Sequence, residues 1–170
     1  YKKMIIHDVV PLDKWRASLL ASNMGNSSTL ISYLPMRNRG LMSLLLHDVD
    51  TWFAKNSDEK ATHDMWTLQD EFGVENTQFL PYWKNQATVG GQTDAIKVSV
   101  YHKPEGGALM IVANVSKEKQ TASLQVDWEK LKSTGKQTIT DAQTKEHLQV
   151  NGNSISLELP PLDYKAIWIQ

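Results

Sequence analysis

Three His-Asp dipeptides are the first pattern in this sequence that could do chemistry: His7-Asp8, His47-Asp48 and His63-Asp64. Imidazole and carboxylate groups are suitable ligands for a hydrolytic divalent metal, so one hypothesis is a small metal-dependent hydrolase. Such a site needs its ligands to converge in a helical bundle, and no further His-rich helix is predicted here. We therefore expect these residues to cap or end apolar elements, and we predict no metal and no cofactor.

Paired carboxylates are the second candidate for chemistry. Asp48 and Asp50 come directly after the apolar run Leu41–Leu46. A glycosidase uses two carboxyl groups about 5–10 Å apart across the sugar, which makes these two residues the candidate catalytic groups if the chain holds any. The sequence has no Cys and no Gly-x-Ser-x-Gly elbow, so it offers no recognisable nucleophile for acyl transfer.

Aromatic side chains are a third feature, since the chain has six Trp and five Tyr. An aromatic face can stack on a sugar ring, and Trp52, Tyr82 and Trp83 are the candidate substrate-binding residues. The alternative is that Tyr82 and Trp83 fill a seam between two parts of the fold, where large rings contribute buried area. We favour the seam for Tyr82 and Trp83, with sugar contact as the other interpretation.

The composition limits which partners are expected. The 170 residues carry 18 Lys and Arg against 19 Asp and Glu, and 41% of them are hydrophobic. This balance is typical of a globular protein, and it provides no positive field for binding nucleic acid. No run approaches the ~18 consecutive apolar residues of a membrane span.

The apolar pattern is largely helical before residue 85. In residues 38–54, Leu41, Leu45, Val49 and Trp52 follow helical spacing, yet the run Leu41–Leu46 could be a buried strand. We favour a helix because Met and Leu dominate this segment. Asn56 or Ser57 can cap the last helix, and Gly73 suits the position after its end. The predicted elements are helices at 12–23, 38–54 and 58–72 and a strand at 30–34.

After residue 85 the pattern changes to a period of two. The segment Ala108–Val115 is apolar on both faces and is therefore predicted to be a central strand. Asn151-Gly152 is a hairpin signal. Seven short strands with frequent turns predict an antiparallel sandwich, and the whole chain an α+β fold. The predicted strands are 95–102, 108–115, 122–126, 137–141, 147–150, 154–159 and 164–169.

Three segments resemble parts of bacterial glycoside hydrolases. Val98–Ser116, with two strands around a Gly turn and then Asn-hydrophobic-Ser, resembles their C-terminal β-sandwich. Leu159–Ile169 is similar to the last strand of such domains, and Phe79–Trp83 looks like the join from a catalytic barrel. The likeness is to barrel-plus-sandwich enzymes related to glycoside hydrolase family 123, many of them from gut Bacteroidetes.

The resemblance implies a non-catalytic accessory region of an enzyme that acts on glycans. Residues 1–85 would be the mostly helical end of a (β/α)8 barrel, and residues 86–170 the sandwich. The partner would be the remainder of the barrel, which would hold the catalytic carboxylates and bind the oligosaccharide. The enzyme would be periplasmic or secreted. The alternatives are a stand-alone carbohydrate-binding or interaction module and the metal-dependent hydrolase.

Overall fold

The first described elements form a β–α–β unit. The computed structural model describes residues 29–32, 38–53, 59–133 and 138–170. Strand β1 (Thr29–Ser32) pairs in parallel with β2 (Asp50–Phe53), and helix α1 (Asn38–Leu45) connects them. Parallel strands need such a crossover because a tight turn cannot join them. The predicted helix at 12–23 and the predicted caps at residues 56 and 57 lie outside the described residues.

The prediction of a single helix over residues 38–54 is wrong in its second half. Helix α1 ends at Leu45, and Asp48 adopts a left-handed φ of 56°. The N–H of Val49 donates to the carbonyl of Leu44 over 3.1 Å, a bond that closes the end of a helix. The chain then becomes extended, so Trp52 lies in a strand and not on a helix face.

The prediction of a helix before Gly73 is confirmed. Helix α2 spans Glu59–Phe72, and Gly73 follows it with φ 75°. The N–H of Gly73 donates to the carbonyl of Gln69 over 2.8 Å, which satisfies one of the last carbonyls of the helix. A single 3-10 turn at Val74–Asn76 then leads into the sheet region.

Two antiparallel sheets form the predicted sandwich. Their strands are β3 (Gln78–Leu80), β4 (Val89–Gly90), β5 (Ile96–His102), β6 (Ala108–Asn114), β7 (Gln120–Val126), β8 (Ile139–Asp141), β9 (Val150–Asn151), β10 (Ser154–Leu159) and β11 (Asp163–Ile169). The five-stranded sheet has the order β3-β5-β6-β11-β8, and the four-stranded sheet has the order β4-β7-β10-β9. Six of the seven predicted strands are confirmed closely, while the one at 147–150 is reduced to a bridge at His147 and the start of β9.

Strand β6 is central in its sheet, as its apolar pattern predicted. All seven of its residues are buried. Leu109 and Ile111 face a core shared with α1 and α2, whereas Met110 and Val112 face the core between the two sheets. The molecule therefore has three layers, with the five-stranded sheet in the middle.

The described residues before 85 do not form the predicted helical, barrel-derived half. The described residues before 85 hold two helices, the short parallel pair and strand β3. Strand β3 pairs with β5 and so belongs to the sandwich, since Phe79 lies opposite Tyr101. Helices α1 and α2 cover the outer face of the five-stranded sheet. No helix among the described residues is long and apolar enough to cross a membrane.

Candidate functional site

The parallel pair defines one edge where a site could form. Ser32 and Phe53 are the last residues of β1 and β2, so they mark the carboxyl ends of both strands. Asp50 is the first residue of β2 and lies at the opposite, amino end. Trp52 lies next to the carboxyl end. The backbone therefore separates the candidate carboxylate Asp50 from the candidate aromatic residue Trp52 by two strand positions, roughly 7 Å.

Asp48 has a structural explanation that the sequence did not reveal. It is exposed and occupies the left-handed position directly after α1. Asp and Asn adopt this conformation more readily than most residues other than Gly. Asp48 therefore marks the turn from α1 into β2, at the amino end of the strand.

The two other predicted site residues, Tyr82 and Trp83, lie at the seam between the helices and the sandwich. The Tyr82 ring is edge-on to His47 at 5.6 Å and to Trp83 at 4.8 Å. Trp83 also contacts His47, with ring centroids 5.6 Å apart. Tyr82 is only 7% exposed, and Trp83 is half-buried. The structure thus brings these aromatic residues together as the interface that the alternative interpretation predicted.

Ser99 is a residue of this seam that sequence reasoning missed. Its hydroxyl accepts a hydrogen bond from the backbone N–H of Tyr82 at 3.1 Å and donates one to the carbonyl of Leu46 at 2.9 Å. The residue is completely buried. A polar residue between Val98 and Val100 in a buried strand was the available signal, because a buried hydroxyl needs partners.

The two described His-Asp pairs do not form a metal centre. His47 is buried in the aromatic seam, where its Nδ1 lies 2.7 Å from the carbonyl of Ser43. His63 is exposed on α2 and packs edge-on against Trp66, while Asp64 pairs with Lys60 at 2.6 Å. Among residues 29–32, 38–53, 59–133 and 138–170, no three His, Asp or Glu side chains are grouped to hold a metal ion.

A groove of about 660 Å³ lies at the edge of the four-stranded sheet. We call it the Trp128 groove. Trp128 itself is 9% exposed, and its indole N–H donates to the carbonyl of Gly152 over 3.2 Å. The sequence did not predict this groove, because three separate segments contribute to it. The lining residues are Gln86, Ala87, Thr88, Gly90, Gln125, Val126, Asp127, Trp128, Glu129 and Asn153.

The Trp128 groove holds two carboxyl groups, and one of them is paired with a cation. The backbone N–H and the ammonium group of Lys130 both bond Asp127, at 3.1 and 3.2 Å, and they lower the pKa of that carboxyl group below its usual value. Asp127 is therefore ionised at neutral pH and paired with a cation. Glu129 contributes one further negative charge, and the remaining lining residues are uncharged, half of them polar.

The fold is shared with parts of several glycoside hydrolases of known structure. A GH27 β-L-arabinopyranosidase from Geobacillus stearothermophilus matches 78% of this chain and 30% of its own length, with 15% identity and a TM-score of 0.54. A noncanonic maltogenic α-amylase from Thermotoga neapolitana matches 92% of this chain and 45% of its own length, with 6% identity and a TM-score of 0.57. The chain spans less than half of the length of either enzyme. These likenesses concern the fold alone.

The family follows from the sequence match. Residues 61–159, more than half of the chain, match the family described as glycoside hydrolase 123, C-terminal domain. The chain belongs to this family. The resemblance to glycoside hydrolases is therefore confirmed for this domain. No curated protein matches the sequence.

Proposed function

We propose that this chain is the C-terminal, non-catalytic region of a glycan-cleaving glycoside hydrolase. In this proposal the sandwich supports a catalytic domain that continues from the β–α–β unit of residues 29–53. One observation carries the proposal: the outer face of the sandwich is covered by two helices, and one of them connects a pair of parallel strands. An antiparallel sandwich needs no such unit, so the β–α–β unit suits the connection to a further domain.

The contacts between the helices and the sandwich support a rigid connection. Leu44 and Leu45 of α1 share one buried core with Tyr101 and Ile111 of the five-stranded sheet. The Tyr101 hydroxyl also lies 3.4 Å from the carbonyl of Leu45. Because this core is continuous and apolar, the sandwich and the β–α–β unit would move together. A catalytic domain joined to the unit would therefore be held in a fixed orientation.

The strand direction changes which candidate residue is favoured for substrate contact. In α/β enzymes with parallel strands, ligands bind outside the carboxyl ends of the strands. Trp52 is next to that end of β2, whereas Asp48 and Asp50 lie at the amino end. We therefore propose Trp52 as the residue of this chain that is nearest to the substrate, and we assign the catalytic carboxylates to the partner domain.

Comparing two polypeptides tests the proposed function. One is the present chain, and the other is the same chain extended upstream in its natural reading frame. Both are incubated with a panel of 4-nitrophenyl glycosides, and released nitrophenol is measured. We expect hydrolysis by the extended polypeptide and none by the present chain. Hydrolysis by the present chain alone, or none by an extended polypeptide that is folded, would contradict the proposal.

Two substitutions in the extended polypeptide test the assignment within β2. We expect Trp52→Ala to reduce kcat/KM by about tenfold or more, because it removes an aromatic surface near the carboxyl end. Asp50→Ala is the matched control in the same strand, and it should change kcat/KM by less than about threefold. The reverse order of effects would place the site at the amino end.

The proposal also covers the location and the source of the enzyme. Glycoside hydrolases that this chain resembles act on glycans outside the cytoplasm, so we propose a periplasmic or secreted enzyme from a Bacteroidetes species. Fractionation of the native source organism, followed by detection with an antibody against the sandwich, tests the location. Detection in the cytoplasmic fraction alone would contradict it.

A further inference from the structure

We propose that the Trp128 groove binds a neutral saccharide and so gives the sandwich a glycan-binding role of its own. The groove is an open surface site with a volume of about 660 Å³. The choice of a saccharide rests on the proposed function, because a glycoside hydrolase encounters glycans. The existence of the groove and its lining does not depend on that choice.

One lining residue of the groove, Gly90, has no side chain. Gly90 lines it from β4 and pairs with Gln125 of β7. A Cβ built on Gly90 would meet only ordinary contacts at 3.6 Å or more, and the residue has no left-handed φ. Its backbone conformation therefore does not require Gly. A longer side chain at this position would extend from the lining of the groove.

Hydrogen bonds fix the walls of the groove. The N–H of Asp127 donates to the carbonyl of Thr88 over 2.9 Å, which joins two of the lining segments. The ammonium group of Lys130 donates to the carbonyl of Ala87 over 2.6 Å. The walls are thus held before any ligand arrives, and a site held in this way loses less conformational entropy on binding.

The polar groups of the groove suit hydroxyl groups. In the part of the chain that the structure describes, the side chains of Thr88, Glu129 and Asn153 make no hydrogen bond or ion pair with other residues. Amides can donate and accept, and a carboxylate accepts, so these groups can bond adjacent sugar hydroxyls. Since the carboxylate of Glu129 has no cation paired with it, an acidic saccharide would be repelled.

Affinity electrophoresis of the present chain tests this inference. Native gels contain soluble starch, xylan, mixed-linkage β-glucan or galactomannan, and a gel with polygalacturonate serves as the anionic comparison. We expect at least one neutral polysaccharide to retard the protein and polygalacturonate not to do so. Retardation by none of the neutral polysaccharides, or by polygalacturonate alone, would overturn the proposal.

Filling the groove is the decisive variant. We expect Gly90→Gln to weaken the retardation by about tenfold or more in dissociation constant, because the new side chain occupies the groove. Thr121→Gln places the same side chain on an exposed position of β7, away from the groove, and should have no effect. Equal affinity of the Gly90→Gln variant and the unchanged protein would overturn the proposal.

A second variant keeps the test valid if Gly90→Gln does not fold. The double substitution of Glu129→Ala with Asn153→Ala changes only exposed side chains, and we expect it to weaken retardation to a similar degree. The two proposals fail separately. If the groove proposal fails, the extended polypeptide should still hydrolyse nitrophenyl glycosides, because that assay uses small substrates at the catalytic domain.

Discussion

At the scale of single residues, buried hydrogen-bonding groups connect the three parts of the molecule. The hydroxyl of Ser99 bonds both the turn after α1, at Leu46, and the seam residue Tyr82. Asn114 is a buried residue that makes bonds within the sandwich, where its amide donates to the carbonyls of Glu118 and Pro160 at 2.7 and 2.8 Å. A buried polar group without a partner destabilises the fold, whereas one with all its hydrogen bonds made specifies a single arrangement of its neighbours.

We expect Ser99→Ala to lower the free energy of unfolding by about 1–3 kcal/mol, because it leaves a buried N–H and a buried carbonyl without their partner. Urea denaturation followed by tryptophan fluorescence measures the change. Ser156→Ala is the control, since Ser156 is exposed on β10 and should cost less than about 0.5 kcal/mol. Equal effects of both variants would show that Ser99 does not connect the layers.

Tyr164 gives the protein a stability limit at high pH. Burial, with a contribution from the negative charge of Asp163, raises the pKa of the Tyr164 hydroxyl to about 12. The amide of Gln143 lies 3.3 Å from the hydroxyl and opposes this shift. An unfolded tyrosine ionises near pH 10, so the folded state retains a proton that the unfolded state loses. Stability is therefore complete below about pH 10 and falls as the pH rises towards 12.

The resulting loss is expected to approach about 3 kcal/mol, since each pH unit contributes about 1.4 kcal/mol. Denaturation curves at a series of pH values between neutral and 12 measure it. In Tyr164→Phe this contribution is absent, so the variant should lose less stability than the unchanged protein over the same range. Parallel pH profiles would contradict the prediction.

At the scale of elements, glycines in left-handed conformations end helices and allow strands to approach each other. Gly73 follows α2 with φ 75°, and a Cβ at this position would meet nothing within 4 Å. Gly91 follows β4 with φ 82°, and a Cβ there would lie 2.1 Å from the carbonyl oxygen of Ser123. The two residues share a backbone conformation but differ in the space around them.

We expect Gly73→Ala to cost about 1 kcal/mol, which is the backbone penalty alone. Gly91→Ala adds a collision with the backbone of β7, so its cost should exceed about 3 kcal/mol. Thermal unfolding monitored by circular dichroism compares both variants with the unchanged protein. Similar melting temperatures for the two variants would mean that β4 moves away from β7 without cost.

At the scale of the whole molecule, the sequence predicted the sandwich well because its strands alternate. It missed β3 and β4, which have only three and two residues and so show no readable period. The helix predicted from the sequence also continued through Trp52, beyond the end of α1. Val49 and Trp52 fit the helical spacing by coincidence, although a tight turn separates α1 from β2. The apolar pattern contained no signal for the left-handed φ of Asp48.

The candidate site was less predictable than the fold. Residues near one another in sequence, such as Tyr82 and Trp83, were recognised because aromatic pairs mark interfaces. The Trp128 groove joins residues 86–90, 125–129 and 153, which only the pairing of β4 with β7 and the hairpin after β9 bring together. Pairing register depends on the global fold, and single-sequence patterns do not determine it.

The layers predict what happens when the chain is cut at residue 85. A fragment of residues 86–170 lacks α1, α2 and β3, so the apolar residues Tyr101, Leu109 and Ile111 would face water. We expect this fragment to aggregate or to bind a hydrophobic dye, because a contiguous exposed apolar patch promotes association. A fragment of residues 38–170 retains both helices and should remain monomeric in size-exclusion chromatography. If residues 86–170 were monomeric with an unchanged melting temperature, the helices would not be part of the core.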